Sequence, residues 1–287
     1  MRSPIPTTTG LFVKHSEIGW RLAAAWTERD WPITLHTLIQ ALVGSTAHGT
    51  YIPSYDPHHI DDVDVLGAFV PPHRYFTGLS TMEHWVWQEF ADGSRAENRT
   101  RDDSNLDVCM YEVRKMARLL LKGNPNVLGL LWQPRTLDLV AHPMWDEWRA
   151  QRHIFLSRRV HASFAGYALG QLSRLGRPNT RGYMGKDRKA LFEKYGYDIK
   201  NAAHCVRLLR MGLELLETGE LHVDRSGIDA EELKAIKRGG WTLGQVERVA
   251  NDGLARLREA EQRSTLPERP DEPAVERLVM RTVEAFW

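Results

Sequence analysis

Two carboxylates, Asp62 and Asp64, stand one residue apart inside the run Ile60-Asp61-Asp62-Val63-Asp64-Val65-Leu66-Gly67. Residues i and i+2 of a β-strand share one face, so in a strand the two side chains meet at one point in space. Like charges that close repel and are easiest to retain with a cation between them. Mg2+, which takes oxygen ligands, is the expected ion, with Mn2+ as the substitute. Upstream, the short apolar run Gln40-Ala41-Leu42-Val43 breaks at Gly44-Ser45 and continues as Thr46-Ala47-His48-Gly49-Thr50. A strand entering such a turn and then a short helix leaves amides pointing into one concavity, which suits phosphate oxygens. Ser45 adds a hydroxyl donor, and Gly49 lets the backbone pass close to a ligand or to the next strand. The two stretches together hold what is needed to seat a triphosphate beside a divalent metal. An acidic surface turn is the plainer reading of Asp-Val-Asp taken alone, and the upstream turn and apolar flanks disfavour it.

These residues need a sheet to hold them. Gln40 to Val43 reads as a buried strand or the end of a buried helix, and the run carrying Asp62 and Asp64 as a strand that Gly67-Ala68-Phe69-Val70 extends until Pro71-Pro72 stops it, because proline cannot donate to a ladder. His84 to Phe90 alternates like a further strand. Asp107-Val108-Cys109-Met110-Tyr111 has a strand pattern that passes into a helix from Glu112 to Lys122, ending at Gly123. Residues 1 to 10 read as a loose arm, and Leu11 to Asp30 as an amphipathic helix covering one face of the sheet. Asn124-Pro125-Asn126 interrupts the chain, with Asn126 the expected cap of a helix over Val127 to Trp132.

After Pro143 long helical patterns take over. One helix, about Phe155 to Leu175, carries Tyr167, Gln171 and Arg174 at i, i+4 and i+7. Another, about Tyr197 to Glu217, carries Lys200, His204 and Arg207 at the same spacing. The residues around the second triplet, among them Ala203, Cys205, Val206 and Leu208, are apolar, so its polar stripe is expected to face a cleft rather than solvent. Lys200, His204 and Arg207 are therefore candidates for contacts to a triphosphate or to an acceptor. Between the two helices, Arg177 to Lys194 reads as a loop rich in Lys and Arg, suited to phosphates. On the helix after Tyr111, Lys115 is a substrate-binding candidate, and Lys122 reads as solvated. Two helices are expected between Asp229 and Glu261, broken at Gly239-Gly240. The expected fold class is α+β: a small mixed-sheet domain over residues 1–150, a helical substrate-binding domain over 151–263, and a linker with a C-terminal helix over 264–287.

Composition narrows the class of protein. The 287 residues are 42% hydrophobic, enough for a sizeable core, and Lys plus Arg (38) exceed Asp plus Glu (37) by one. No global basic field advertises nucleic acid, so any RNA contact must be a local patch. Cys109 and Cys205 both lie in apolar runs and read as buried thiols of a reducing compartment. No run approaches the length of a membrane span and the N-terminus lacks a signal-peptide core, so the expected location is cytoplasmic, with no membrane partner. Composition does not address subunit number.

The Gly-Ser turn followed by alternating acidic and apolar residues resembles the DNA-polymerase-β-like nucleotidyltransferase superfamily. The likeness is closer to its RlaP-type, RNA-ligase-associated branch. Supporting stretches are Leu106-Asp107-Val108-Cys109-Met110-Tyr111-Glu112-Val113-Arg114-Lys115, Lys122-Gly123-Asn124-Pro125-Asn126-Val127-Leu128, Leu156-Ser157-Arg158-Arg159-Val160, Gly166-Tyr167-Ala168-Leu169-Gly170-Gln171-Leu172 and His204-Cys205-Val206-Arg207-Leu208-Leu209-Arg210-Met211-Gly212. The chain departs from the pattern in a long Tyr51–Ile60 loop and in Leu66, where a basic residue is expected. The resemblance implies catalytic and metal-binding carboxylates at Asp62, Asp64 and Asp107. It also implies a nucleotidyltransferase fold and transfer of a nucleotidyl group from an NTP, ATP among them, to a hydroxyl.

On that basis Asp62 and Asp64 would bridge two metal ions and Asp107 would bind only the one activating the acceptor hydroxyl, while the Gly44-Ser45 amides hold the leaving pyrophosphate. RNA, a protein side chain and a small aminoglycoside-like alcohol would all serve as acceptors at the same donor site, and the resemblance favours RNA. Two other classes stand beside this one. The first is a nucleotide- or RNA-binding module without turnover, against which all three carboxylates argue. The second is a metal-dependent phosphohydrolase using His58, His59 and Asp61, against which the missing Cys and His cluster of a zinc site argues.

Overall fold

The computed structural model describes residues 36–90, 94–97, 104–176 and 186–287. The N-terminal arm, the helix expected over Leu11 to Asp30 and the basic residues 177–185 lie outside the described residues.

Six strands form one sheet: β1 (Thr37–Leu42), β2 (Val63–Phe69), β3 (His84–Phe90), β4 (Arg95–Glu97), β5 (Ser104–Glu112) and β6 (Asp138–Ala141), in the order β4-β3-β5-β2-β1-β6. β2 and β5 pair in parallel and the other neighbours antiparallel. Every residue of β1 is buried, which settles the Gln40–Val43 ambiguity as strand and explains why its apolar run does not alternate. The expected strand at His84–Phe90 is present, whereas β4 and the short β6 carried no readable pattern of their own.

The turn after β1 closes into a single-turn helix, α1 (Gly44–Ala47), and α2 (Arg74–Thr77) is equally short. Helix α3 (Val113–Leu121) follows β5 without a loop, because the Glu112 carboxylate accepts from the amides of Arg114 and Lys115 and caps it. The next helix, α4 (Pro125–Leu128), starts earlier than expected. Asn124, not Asn126, is its cap, accepting from the Asn126 amide while Pro125 opens the helix, as a residue lacking an N–H can. Helix α5 (Pro143–Ala150) then brings Trp145 and Trp148 into the core beside Phe155.

The second half is helical: α6 (Val160–Leu172), α7 (Lys186–Tyr195), α8 (Ile199–Thr218), α9 (Ala230–Lys237), α10 (Leu243–Arg263) and α11 (Glu272–Glu284). Residues 186–194, read from sequence as loop, are helical. Arg188 on α7 is tied to Asp198 (2.8 Å) and Asn201, and Asp198 caps α8, so a buried charge pair organises this stretch. Helix α8 ends at Gly219, in the left-handed conformation (φ +73°) that glycine tolerates best. Thr242 and Gln245 form a capping box at the start of α10. The apolar core runs unbroken from the sheet residues Leu38, Val65 and Met110 to Phe164, Leu208 and Leu257 of the helices.

Candidate active site

The parallel register of β2 and β5 sets Asp64 directly opposite Asp107. Asp62 sits just before β2 rather than within it, yet single ligand oxygens of Asp62, Asp64 and Asp107 all lie within 4.8 Å of one another. On the other flank of β5, Gln88 of β3 is opposite Asp107 and its amide donates to Asp107 Oδ1 at 2.7 Å, fixing that carboxylate. Burial, then the charges of Asp62 and Asp107, push the Asp64 carboxyl up to about 8, with only Lys200 opposing among its leading influences. Three mutually repelling carboxylates are what a divalent cation relieves.

The turn that faces them is glycine for a geometric reason. Gly44 has φ +61°, and a Cβ there would collide with the Asp64 carboxylate, so the backbone lies against the acidic cluster as no other residue would allow. The Val43 amide donates to the Asp64 carbonyl at 2.9 Å, tying turn to strand. Ser45 Oγ, in the wall of this turn, is buried with no hydrogen-bond partner among the described residues. The donor set, the glycine cradle and this orphaned hydroxyl all fit a metal-bound phosphate. Gly49, also at positive φ, faces Ser226 rather than a ligand or a strand.

Across the cleft, the α8 stripe faces the carboxylates. Lys200 Nζ donates to Asp62 Oδ1 (3.1 Å) and to the Ile60 carbonyl (2.9 Å); burial works against its charge, but Asp62, Asp61 and Asp64 hold its pKa above the ordinary lysine value. His204 and His48 are both kept neutral, their pKa values driven well below the usual range by burial and then by Arg207. Arg207 donates to Met211 Sδ (3.1 Å) and has no carboxylate partner among the described residues; burial and Arg225 push it down to about 10. It remains charged at neutral pH. His204 Nε2, like Ser45 Oγ, is buried without a partner among the described residues.

Two cavities meet at this site. One, of about 130 Å³, is lined by Ser45, Asp62, Lys200 and Lys237. The other, of about 440 Å³, extends past Asp107 over the sheet floor of Leu66, Cys109 and Tyr111, beneath the segment 125–133. Gly44, His48, Asp64, His204 and Arg207 line both and form the partition. Lys115 lines neither. It lies in the first turn of α3, beyond the end of β5, and pairs with the exposed Glu83 at 3.0 Å. His58 binds Asp56 and the Tyr195 hydroxyl, and His59 the Ile52 carbonyl, so both histidines serve the Tyr51–Ile60 loop. Tyr167 accepts from Asn124 and is likewise structural.

Lys237 was not distinguishable in the sequence. It arrives from α9 and clasps both oxygens of buried Asp61 (2.7 and 2.8 Å) and the Thr50 carbonyl (3.0 Å), while Asp61 also accepts from the Ile52 amide. His48 is another such residue: its Nδ1 meets the Val223 carbonyl at 2.9 Å, and the Arg225 amide returns to the His48 carbonyl, strapping residues 223–225 against the turn.

A strand-turn-helix opposed by three carboxylates, two on a parallel strand pair and one just ahead of it, is the arrangement of a polymerase-β-like nucleotidyltransferase. The chain belongs to the family described as RlaP, RNA repair pathway DNA polymerase beta family, which matches residues 17–281. Among solved structures it is similar to a nucleotidyltransferase-like protein from Exiguobacterium sibiricum 255-15, at 14% identity over 88% of this chain and 75% of that one, with a TM-score of 0.30. No curated protein matches it. No helix among the described residues is long and apolar enough to cross a membrane.

Proposed function

We propose that the protein transfers a nucleotidyl group from an NTP to an acceptor hydroxyl, with RNA as the acceptor class. The observation that carries this reading is the facing of Asp62, Asp64 and Asp107 on the sheet by Lys200 and Arg207 on α8 across the Gly44-Ser45 turn. Acidic and cationic groups in one cleft separate the two needs of phosphoryl transfer, cation binding and phosphate binding.

Asp62, Asp64 and Asp107 would hold divalent metal, Mg2+ by the hardness of the donors, which supplies charge neutralisation at the phosphates and activation of the attacking hydroxyl. Ser45 Oγ, the amides heading α1 and the Arg207 guanidinium grip the β- and γ-phosphates. Lys200 releases Asp62 for its ligand role and turns to phosphate. Neutral His204 and His48 donate or accept hydrogen bonds without adding charge. Gln88 orients Asp107 toward the acceptor side. The hydroxyl gives up its proton to a carboxylate of the cluster or to solvent as its oxygen bonds to the α-phosphorus and the bond to the bridging oxygen breaks in line, and pyrophosphate leaves on the side of Lys200 and Arg207. The walls do this by position and charge, so no nucleophilic side chain is required.

Pyrophosphate release from each NTP, measured with Mg2+ and with or without single-stranded RNA, tests the proposal. Release that depends on RNA and disappears in Asp62→Asn is the expected result. Absence of release with every NTP and every RNA would overturn it.

A further inference from the structure

The larger cavity has features that the proposed chemistry does not use. At about 440 Å³ it lies within the range of roughly 300–1,000 Å³ typical of small-ligand sites. Its floor is apolar, Leu66, Val86 and Cys109, and Leu130 closes it from the helical side. Among the described residues, the carboxylates lining it are Asp64 and Asp107 alone. Gln133, only 4% exposed, is among its lining residues, and its amide Nε2 is buried with no hydrogen-bond partner among the described residues. A buried, unpaired amide donor costs stability unless a ligand completes it.

Resting on the nucleotidyl-transfer reading, we infer that this cavity is a nucleoside chamber that takes the terminal, unpaired nucleoside of the acceptor, with Gln133 bonding the edge of its base. In-line displacement requires the attacking hydroxyl to stand opposite the leaving pyrophosphate. With pyrophosphate in the smaller cavity beside Lys200 and Lys237, the acceptor must enter from the Asp107 side, and that side is this chamber. A flat ring that is apolar on its faces and polar at its edge satisfies both the floor and the amide. A serine or threonine side chain would leave the chamber mostly empty and Gln133 unpaired, and a polycationic alcohol would find no carboxylate beyond those already needed for metal. A base still paired in a duplex could not enter.

The chemistry has two sources, a free nucleotide or the 3′ end of a single strand, and the test separates them. Binding to the full-length protein is measured for the nucleoside monophosphates, for short single-stranded RNAs ending in each nucleoside, and for ATP. Wild type is compared with Gln133→Leu, nearly isosteric and apolar, and with Cys109→Phe, which fills the floor; thermal melting confirms that each folds. The expected result is binding of RNA or monophosphate that weakens by about tenfold or more in both variants, with ATP affinity within about twofold of wild type. Preference between RNA and monophosphate identifies the source. Binding of neither probe by wild type, unchanged binding in the variants, or an equal loss of ATP affinity would overturn the inference, the last because the chamber would then hold the donor's nucleoside. Lack of pyrophosphate release alongside RNA binding that Gln133→Leu abolishes would sink the enzymatic reading and leave the chamber standing.

Discussion

On the sheet wall of the cleft, Asp64 and Asp107 are placed by backbone register, opposite one another across a parallel strand pair and steadied by Gln88. On the helical wall, Lys200, His204 and Arg207 are placed by side-chain reach from one face of α8, and they share the cleft with the carboxylates, Lys200 touching Asp62, because α8 packs where it does. The sheet wall is crowded with like charge and strained without a cation. The helical wall has its charges apart, one paired with Asp62, one neutral imidazole and one cation bonded to the Met211 sulfur, with no carboxylate partner among the described residues. The difference predicts that sheet-wall substitutions act on the chemical step and relieve the apoprotein. Helical-wall substitutions should act on substrate affinity.

The largest effect is expected at Asp64. Asp64→Asn should lower kcat/KM by about a thousandfold or more, the loss of several kcal/mol of charge stabilisation. The same carboxyl gives a pH test. Its native pKa of about 8 lies above the ordinary 3.8, so between those values the native state holds a proton that the unfolded state has lost. Stability without metal should therefore fall as pH rises through that window. Melting in EDTA should show a declining midpoint in wild type, absent in Asp64→Asn. A midpoint that climbs or stays level in wild type would contradict the sign.

Next comes the pair behind the sheet wall. Lys237→Met strands Asp61 as an uncompensated buried charge and should cost about 3–5 kcal/mol by urea unfolding. Adding Asp61→Asn should recover part of that loss, and no recovery would mean that Lys237 matters through packing rather than charge. Arg207→Ala is smaller: removing one charge-assisted phosphate contact of about 1.5–3 kcal/mol should raise the KM for NTP by roughly ten- to a hundredfold with kcat little changed. A fall in kcat at unchanged KM would erase the contrast between the walls. The smallest effect belongs to Lys115→Ala, which removes only a contact to exposed Glu83; kcat/KM should stay within about twofold of wild type.

Lys115 and Lys200 show how far the sequence could be read. Both are lysines on amphipathic helices beside family-like motifs, and both entered as substrate-binding candidates. The structure carries Lys200 to Asp62 and Lys115 to the opposite end of β5. Helical periodicity tells which residues share a face but not what the face meets. Asp61 and Asp62 are a sharper case: adjacent and identical in type, one is a buried structural anion held by Lys237 and the other a cleft carboxylate held by Lys200. Lys237 gave no local signal, because its partner is 176 positions away. Residues 186–194 read as loop from sequence because their charged composition gives no sign of the Arg188–Asp198 pair that anchors the helix.

What could be read locally was the pairing of acidic residues one apart with a Gly-Ser turn upstream, the strand-then-helix order, and the spacing that aligns Lys200, His204 and Arg207. These follow from backbone geometry over a few residues, which any chain with those side chains must obey. That Asp62 lies just ahead of β2, and that Gly44 rather than Gly49 lies against a carboxylate, came only with the fold. Only the tertiary structure decided the strand order that pairs β2 with β5, the docking of α8 across the cleft, the Lys237–Asp61 clasp, and the chamber under residues 125–133. Those depend on which distant surfaces bury one another, and burial energy, being non-directional and summed over the whole core, leaves no mark at any single position in the chain.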